Sequence, residues 1–180
     1  QGSSSNSFTQ AHAYSKGNTG YTISAAGQYN SLTLAVAVSA DPANYGLSMA
    51  QSHYNSVSQS FLLNLGGGRA AILASDSNYN SLSQTTIAAN AASVAALEIN
   101  DCYGTVLAAV HASNPSGDAV QLLAASNGGV ISQSTAVAGG TGSSARYMHS
   151  ITSGSVTGSF LASPAGLGAK LLSVQFSTIS

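Results

Sequence analysis

Asn30-Ser31-Leu32-Thr33-Leu34-Ala35-Val36-Ala37-Val38 is the stretch that decides the fold. Leu32, Leu34, Val36 and Val38 alternate with Ser31, Thr33, Ala35 and Ala37, the period-two signature of a strand with one buried face. The opening Asn-Ser pair recurs as Asn6-Ser7-Phe8, Asn55-Ser56-Val57 and Asn80-Ser81-Leu82. Following the apolar third position gives Phe8, Leu32, Val57, Leu82, Val106, Ile131 and Val156, each 24 or 25 residues after the last. About 15 residues behind these anchors runs a second column, Ile23, Leu47, Ile72, Leu97, Leu122, Tyr147 and Leu171, with the same spacing.

Self-similarity at a fixed short period marks a solenoid, and two columns in phase predict two strands per coil. The fold class expected is all-β: a β-solenoid of seven strand-turn-strand coils, about 24–25 residues each, with amyloid-like cross-β stacking. A short polar N-terminal tail over residues 1–5 precedes a single domain over 6–180. Its repeats are placed at about 6–29, 30–54, 55–79, 80–103, 104–128, 129–153 and 154–180.

Two positions past the anchors stand Gln10, Gln59, Gln84 and Gln133, which the alternation assigns to the buried side. Amides stacked at about 4.8 Å can bond one another in a ladder, or can bond nearby backbone. One turn collects all three prolines, as in Asp41-Pro42-Ala43-Asn44 and Asn114-Pro115-Ser116-Gly117, and so keeps them out of the strands. The opposite corner carries Tyr29, Tyr54, Tyr79 and Tyr103, expected to stack as a column.

Only 5% of residues are charged against a usual ~25%, although 44% are hydrophobic. Stacking explains this, since like charges repeated about 4.8 Å apart repel by roughly 0.9 kcal/mol per step in water, and Ser, Thr, Asn and Gln do not. A net charge of −1 with four Lys plus Arg gives no basic stripe for nucleic acid. No apolar run approaches the ~18 residues of a membrane span, so no membrane insertion is expected. The beginning at Gln1, without Met or signal segment, reads as a processed, extracellular protein. The single Cys102 excludes an intramolecular disulfide and reads as a free thiol in a corner, with intermolecular crosslinking as the other reading.

No helix or charged coil blocks either end of the repeat array, and two complementary open edges make a head-to-tail contact that does not close. The repeat, best carried by Asn30-Ser31-Leu32-Thr33-Leu34 and Asn80-Ser81-Leu82-Ser83-Gln84, resembles that of the curlins, the major subunits of curli fibres. The resemblance implies a structural subunit of an extracellular amyloid fibre in a biofilm matrix or on a cell surface, partnered by copies of itself, a nucleator subunit and a secretion pore. It implies no enzyme and no cofactor.

The residues that could carry chemistry are His12, His53, His111, His149, Asp41, Asp76, Asp101, Asp118 and Glu98, and none makes a metal-ligand spacing or a nucleophile elbow. The repeat frame puts His12 and His149 in core columns as packed neutral histidines. Asp76 and Asp101 share a column, as a solvated corner or, with Gln51, as a cation site; neither a metal nor a catalytic residue is assigned. An ice-binding solenoid is the alternative, because pairs such as Ser31/Thr33, Ser56/Ser58 and Ser81/Ser83 line one outer face. Leu62, Ile87, His111 and Leu161 are expected to protrude further along that face. The stalk of an adhesin or phage fibre is a third reading.

Overall fold

The computed structural model describes residues 4–24, 27–173 and 178–180. Among them there is no helix; every strand pairs in parallel with the equivalent strand of the next coil. The chain is therefore a parallel β-solenoid of about seven coils, roughly 34 Å tall at ~4.8 Å per coil. Each coil has three strands rather than the two expected. In the third coil they are Ser56–Ser58, Phe61–Asn64 and Ala71–Ala74, which belong to a first, second and third sheet.

The third face arises because one residue breaks the long first strand. Gln10, Leu34, Gln59, Gln84, Ala109 and Gln133 all take left-handed φ values between 48° and 55°, and Gly158 matches them at 52°. Such a conformation costs a non-glycine residue about 1–2 kcal/mol, so the stacked coils must over-determine it. This corner is also where the glutamine expectation fails. Gln10, Gln59, Gln84 and Gln133 stand exposed, because a left-handed residue interrupts the alternation that would have turned them inward.

The buried amide ladder is built from the asparagines that open each repeat. Asn6 Nδ2 donates to Asn30 Oδ1 (2.9 Å), Asn30 Nδ2 to Asn55 Oδ1 (3.0 Å) and Asn55 Nδ2 to Asn80 Oδ1 (3.0 Å). Each acceptor also takes the backbone N–H of the coil below. Hydroxyls perform the same task at the other corners: Ser60 Oγ accepts from Ala35 N, Ser134 Oγ from Val110 N, and Ser126 Oγ from Cys102 N. These corner polar groups are thereby satisfied inside the wall, as burial requires, and the buried hydroxyls of Ser52 and Thr105 are exceptions.

In the first sheet Phe8, Leu32, Val57, Leu82, Leu107, Ile131 and Val156 stand in register. Leu107, buried, holds the place assigned to Val106, which pairs with Ser81 and faces outward. In the third sheet the inward column runs Ile23, Met49, Leu73, Ile99, Leu122, Met148 and Leu171. Leu47 and Leu97 also point inward, one step along, in register with Ala71. Ile72 and Tyr147 point outward instead. Successive members of the true column are separated by 26, 24, 26, 23, 26 and 23 residues, because the turn before this strand varies in length and the following corner compensates. A search at constant period slips by one residue there, and a slip of one turns a side chain to the other face.

Tyr29, Tyr54 and Tyr79 stack face to face at 5.2 and 5.1 Å, and Tyr103 meets Tyr79 edge-on at 5.4 Å. The change of geometry has a local cause. In the fourth coil the left-handed position belongs to Gly104 (φ 64°), so Tyr103 sits one step earlier, and a Cβ on Gly104 would come within 2.7 Å of the Tyr79 ring.

Candidate functional site

The outer face of the third sheet collects the charge that the rest of the molecule avoids. Its outward column reads Thr22, Ser48, Ile72, Glu98, Gln121, Tyr147 and Lys170, each in register with the next. From the fourth coil to the seventh this is an acid, an amide, a phenol and an ammonium at strand spacing. Arg69 lies at the entry to the third-coil strand, and its Nε and one terminal nitrogen reach Glu98 Oε2 at 2.6 and 2.5 Å. Glu98 is largely buried under that contact, with its side chain 7% exposed.

Tyr147 is held between two cationic or potentially cationic groups. The His149 ring stacks on it at 6.1 Å, two residues along the same strand, and Lys170 Nζ lies 5.2 Å from the centre of its ring. Beside this column the turn before the strand opens a polar cleft of ≈250 Å³, lined by Ser93, Asp118, Gln121, Thr141 and Ser143 among others. Asp118 is fixed there: Oδ2 accepts from Gln121 Nε2 (2.7 Å) and Oδ1 from Ser144 N (2.5 Å). Of nine Lys, Arg, Asp and Glu residues, Arg69, Glu98, Asp118 and Lys170 line this face, and Arg146 lies directly beneath it.

The other sequence candidates do not converge. His12 pairs with Val36, which in turn pairs with Phe61, on the outside of the second sheet, and it is exposed, not packed in the core; His149 is likewise exposed. Leu62 and Ile87 are buried rather than protruding, while His111 stands outward. Asp76 and Asp101 occupy an exposed corner in left-handed conformations, where Asp76 Oδ1 accepts from Asn78 Nδ2. Among the described residues no three of His, Cys, Asp and Glu gather into a ligand set. Cys102 is buried, its thiol donating to Asn100 O at 3.3 Å, so crosslinking to another chain is closed to it. Burial pushes that thiol up to about 11. The Ser/Thr pairs do line the outside of the first sheet, as in Thr33 Oγ1 to Ser58 Oγ at 3.1 Å.

Sequence reasoning missed the charged column because its members recur at irregular spacing, and Glu98, Tyr147 and Lys170 are different residue types. The readable signal was the concentration of charge itself between Arg69 and Lys170 in a chain that is otherwise nearly uncharged.

No family model matches the chain, and no curated protein matches it either. Solved structures similar to it include two epimerases and a pectate lyase. A periplasmic alginate epimerase, AlgG, as a T265N T268M double mutant, is 12% identical with a TM-score of 0.59 over 96% of this chain and 39% of its own. Pectate lyase Pel9A is 14% identical with a TM-score of 0.58, over 94% of this chain and 50% of its own. The A-module of the Azotobacter vinelandii mannuronan C-5 epimerase AlgE4 is 11% identical with a TM-score of 0.57, over 98% and 58%. The chain thus spans about two fifths to three fifths of the length of these structures, and at such identities the likeness is one of fold.

These neighbours correct the reading of the chain as a non-enzymatic amyloid subunit. Two epimerases and a lyase share this chain's fold, and the resemblance to curlins extends only to the stacked repeat. The physical reason for the error is that any parallel coil stack requires charge-poor ladders, whether or not it polymerises.

Proposed function

We propose that the chain is a secreted or periplasmic polysaccharide-processing β-helix that lays an acidic polysaccharide along the outer face of its third sheet. The observation that carries this reading is the column Glu98, Gln121, Tyr147 and Lys170, flanked by Arg69, His149 and the cleft at Asp118. A pyranose chain repeats on a scale close to the coil spacing, so successive sugars can meet successive coils. Lys170 supplies positive charge for a uronate carboxylate, and Gln121 and Asp118 supply donors and acceptors for sugar hydroxyls.

The chemistry this set of groups can perform is proton transfer beside a carboxylate. Lys170 stabilises charge that builds on the carboxylate as the C5 proton leaves, and His149 and Tyr147 are the adjacent groups able to take and return a proton. Expulsion of the C4 oxygen would complete an elimination; return of the proton to the other face would complete an epimerisation. The likeness to AlgG, Pel9A and AlgE4 supports the substrate class through their fold.

The test incubates the protein with alginate, polygalacturonate and an uncharged glucan in D2O. C5 exchange is followed by proton NMR, unsaturated uronate ends by ultraviolet absorbance, and retention by affinity electrophoresis. A polyuronate is expected to be bound and to exchange at C5. Lys170→Ala should weaken binding about tenfold or more, the loss of one hydrogen bond to a charged group. Tyr14→Ala, on the second sheet, should leave binding unchanged. Absence of both retention and exchange with every polyuronate overturns the reading.

A further inference from the structure

Arg146 occupies the inward column of the third sheet, in register with Val120 on one side and Ala169 on the other, where earlier coils place Leu47, Ala71 and Leu97. It is 0% exposed, and among the described residues none of its three guanidinium nitrogens meets a hydrogen-bond acceptor. Burial lowers its pKa to about 9, which leaves it charged at neutral pH. A buried, unpaired charge is strongly unfavourable, so it calls for a counter-charge.

The chain does not provide one. All five carboxylates stand elsewhere: Glu98 is paired with Arg69, Asp118 is bonded to Gln121 and Ser144, and Asp41, Asp76 and Asp101 lie at turns or corners away from the core. Residues 1–3, 25–26 and 174–177, outside the described set, contain no Asp or Glu. Arg146 instead lines a small cavity of ≈10 Å³ walled by Leu107, Val110, Ile131 and Leu161. That is room for about one small occupant. Ser134 also lines it, but its hydroxyl is already bonded to Ser132 O and Val110 N.

We propose that Arg146 is the receptor for one buried monovalent anion, a halide, held by the guanidinium inside the apolar core between the fifth and seventh coils. Aliphatic walls suit a monatomic, weakly hydrated ion; an oxyanion would need more room and further donors. A water molecule would fill the space without answering the charge. Half-buried Thr135 and Leu161 form the side from which the ion enters.

The experiment melts the purified chain in sodium chloride and, at matched ionic strength, in sodium gluconate. Above the dissociation constant each tenfold rise in chloride should add about 1.4 kcal/mol, or about 3–6 °C in Tm at this chain length. Gluconate should give no comparable rise. Arg146→Met should abolish the difference between the salts, and crystals grown in bromide should show one anomalous peak at the guanidinium. Equal responses to chloride and gluconate, or a bromide-free site holding water only, overturn the proposal. If Arg146→Met does not fold, the wild-type salt comparison and the bromide diffraction decide by themselves.

Discussion

The second to fourth coils and the sixth and seventh share one register and differ in what they enclose. The former bury Leu32, Val57 and Leu82 at 3% or less and tie their corner with Asn30, Asn55 and Asn80. The latter put Gly129 and Gly154 at that corner, place Arg146 in the core, and leave Leu171 44% exposed. Backbone pairing is equally regular in both regions, so register alone does not specify the interior. Side-chain burial depends on having a coil above and a coil below, and among the described residues the seventh coil is covered on its outer side only along the first sheet.

The largest expected effect follows from this contrast. Leu82→Ala should cost about 2–5 kcal/mol in urea unfolding, because the cavity sits between two packed coils. Leu171→Ala in the terminal coil should cost about 1 kcal/mol or less. Equal costs would break the comparison and show one uniform core.

Corner polarity gives the next test. Asn80 Oδ1 accepts from both the backbone and the side chain of Asn55, and its own Nδ2 donates to Ser52 O at 2.8 Å. Asn80→Ala leaves buried groups without partners and should destabilise by about 2–3 kcal/mol. One coil on, the same position is Thr105, whose buried hydroxyl has no hydrogen-bond partner. Thr105→Val, which keeps shape and removes that hydroxyl, should be neutral or stabilising by about 1 kcal/mol. Matching losses in the two variants would mean that the asparagine ladder contributes no more than packing does.

The Asn-Ser repeats show how far the sequence could be read. They revealed the coil, its period and its parallel stacking, because one face of every first strand is apolar and recurs almost without slippage from Phe8 to Val156. Left-handed Gln59 and Gln84 were illegible, since nothing in their side chains demands positive φ and the third sheet depends on them. The site stayed hidden for a related reason. Glu98, Gln121, Tyr147 and Lys170 align only after loops of unequal length, from Ala91 to Ala96 and from Gly139 to Ser143, have been taken up by the fold. Arg146 reads as surface in any hydropathy pattern, and its burial is a property of the neighbouring coils.

A last contrast appears only in alkali, where a group in each region titrates with opposite sign. Cys102 in the fourth coil is a neutral acid whose folded pKa is raised from 9.0 to about 11. Between these values the unfolded chain loses the proton while the folded chain keeps it, so stability falls as pH rises, by on the order of 2 kcal/mol across the window. Arg146 in the sixth coil is a base whose pKa burial lowers to about 9, so above pH 9 the folded chain sheds its proton first and stability rises. Urea unfolding from pH 8 to 11 should therefore show a steeper decline for Arg146→Met than for the wild type, and a shallower one for Cys102→Ala. A bound halide restores charge to the arginine and cancels its share, so the Arg146→Met difference should shrink in chloride and persist in gluconate. If both variants keep the wild-type slope in gluconate, neither group is buried as the coils require.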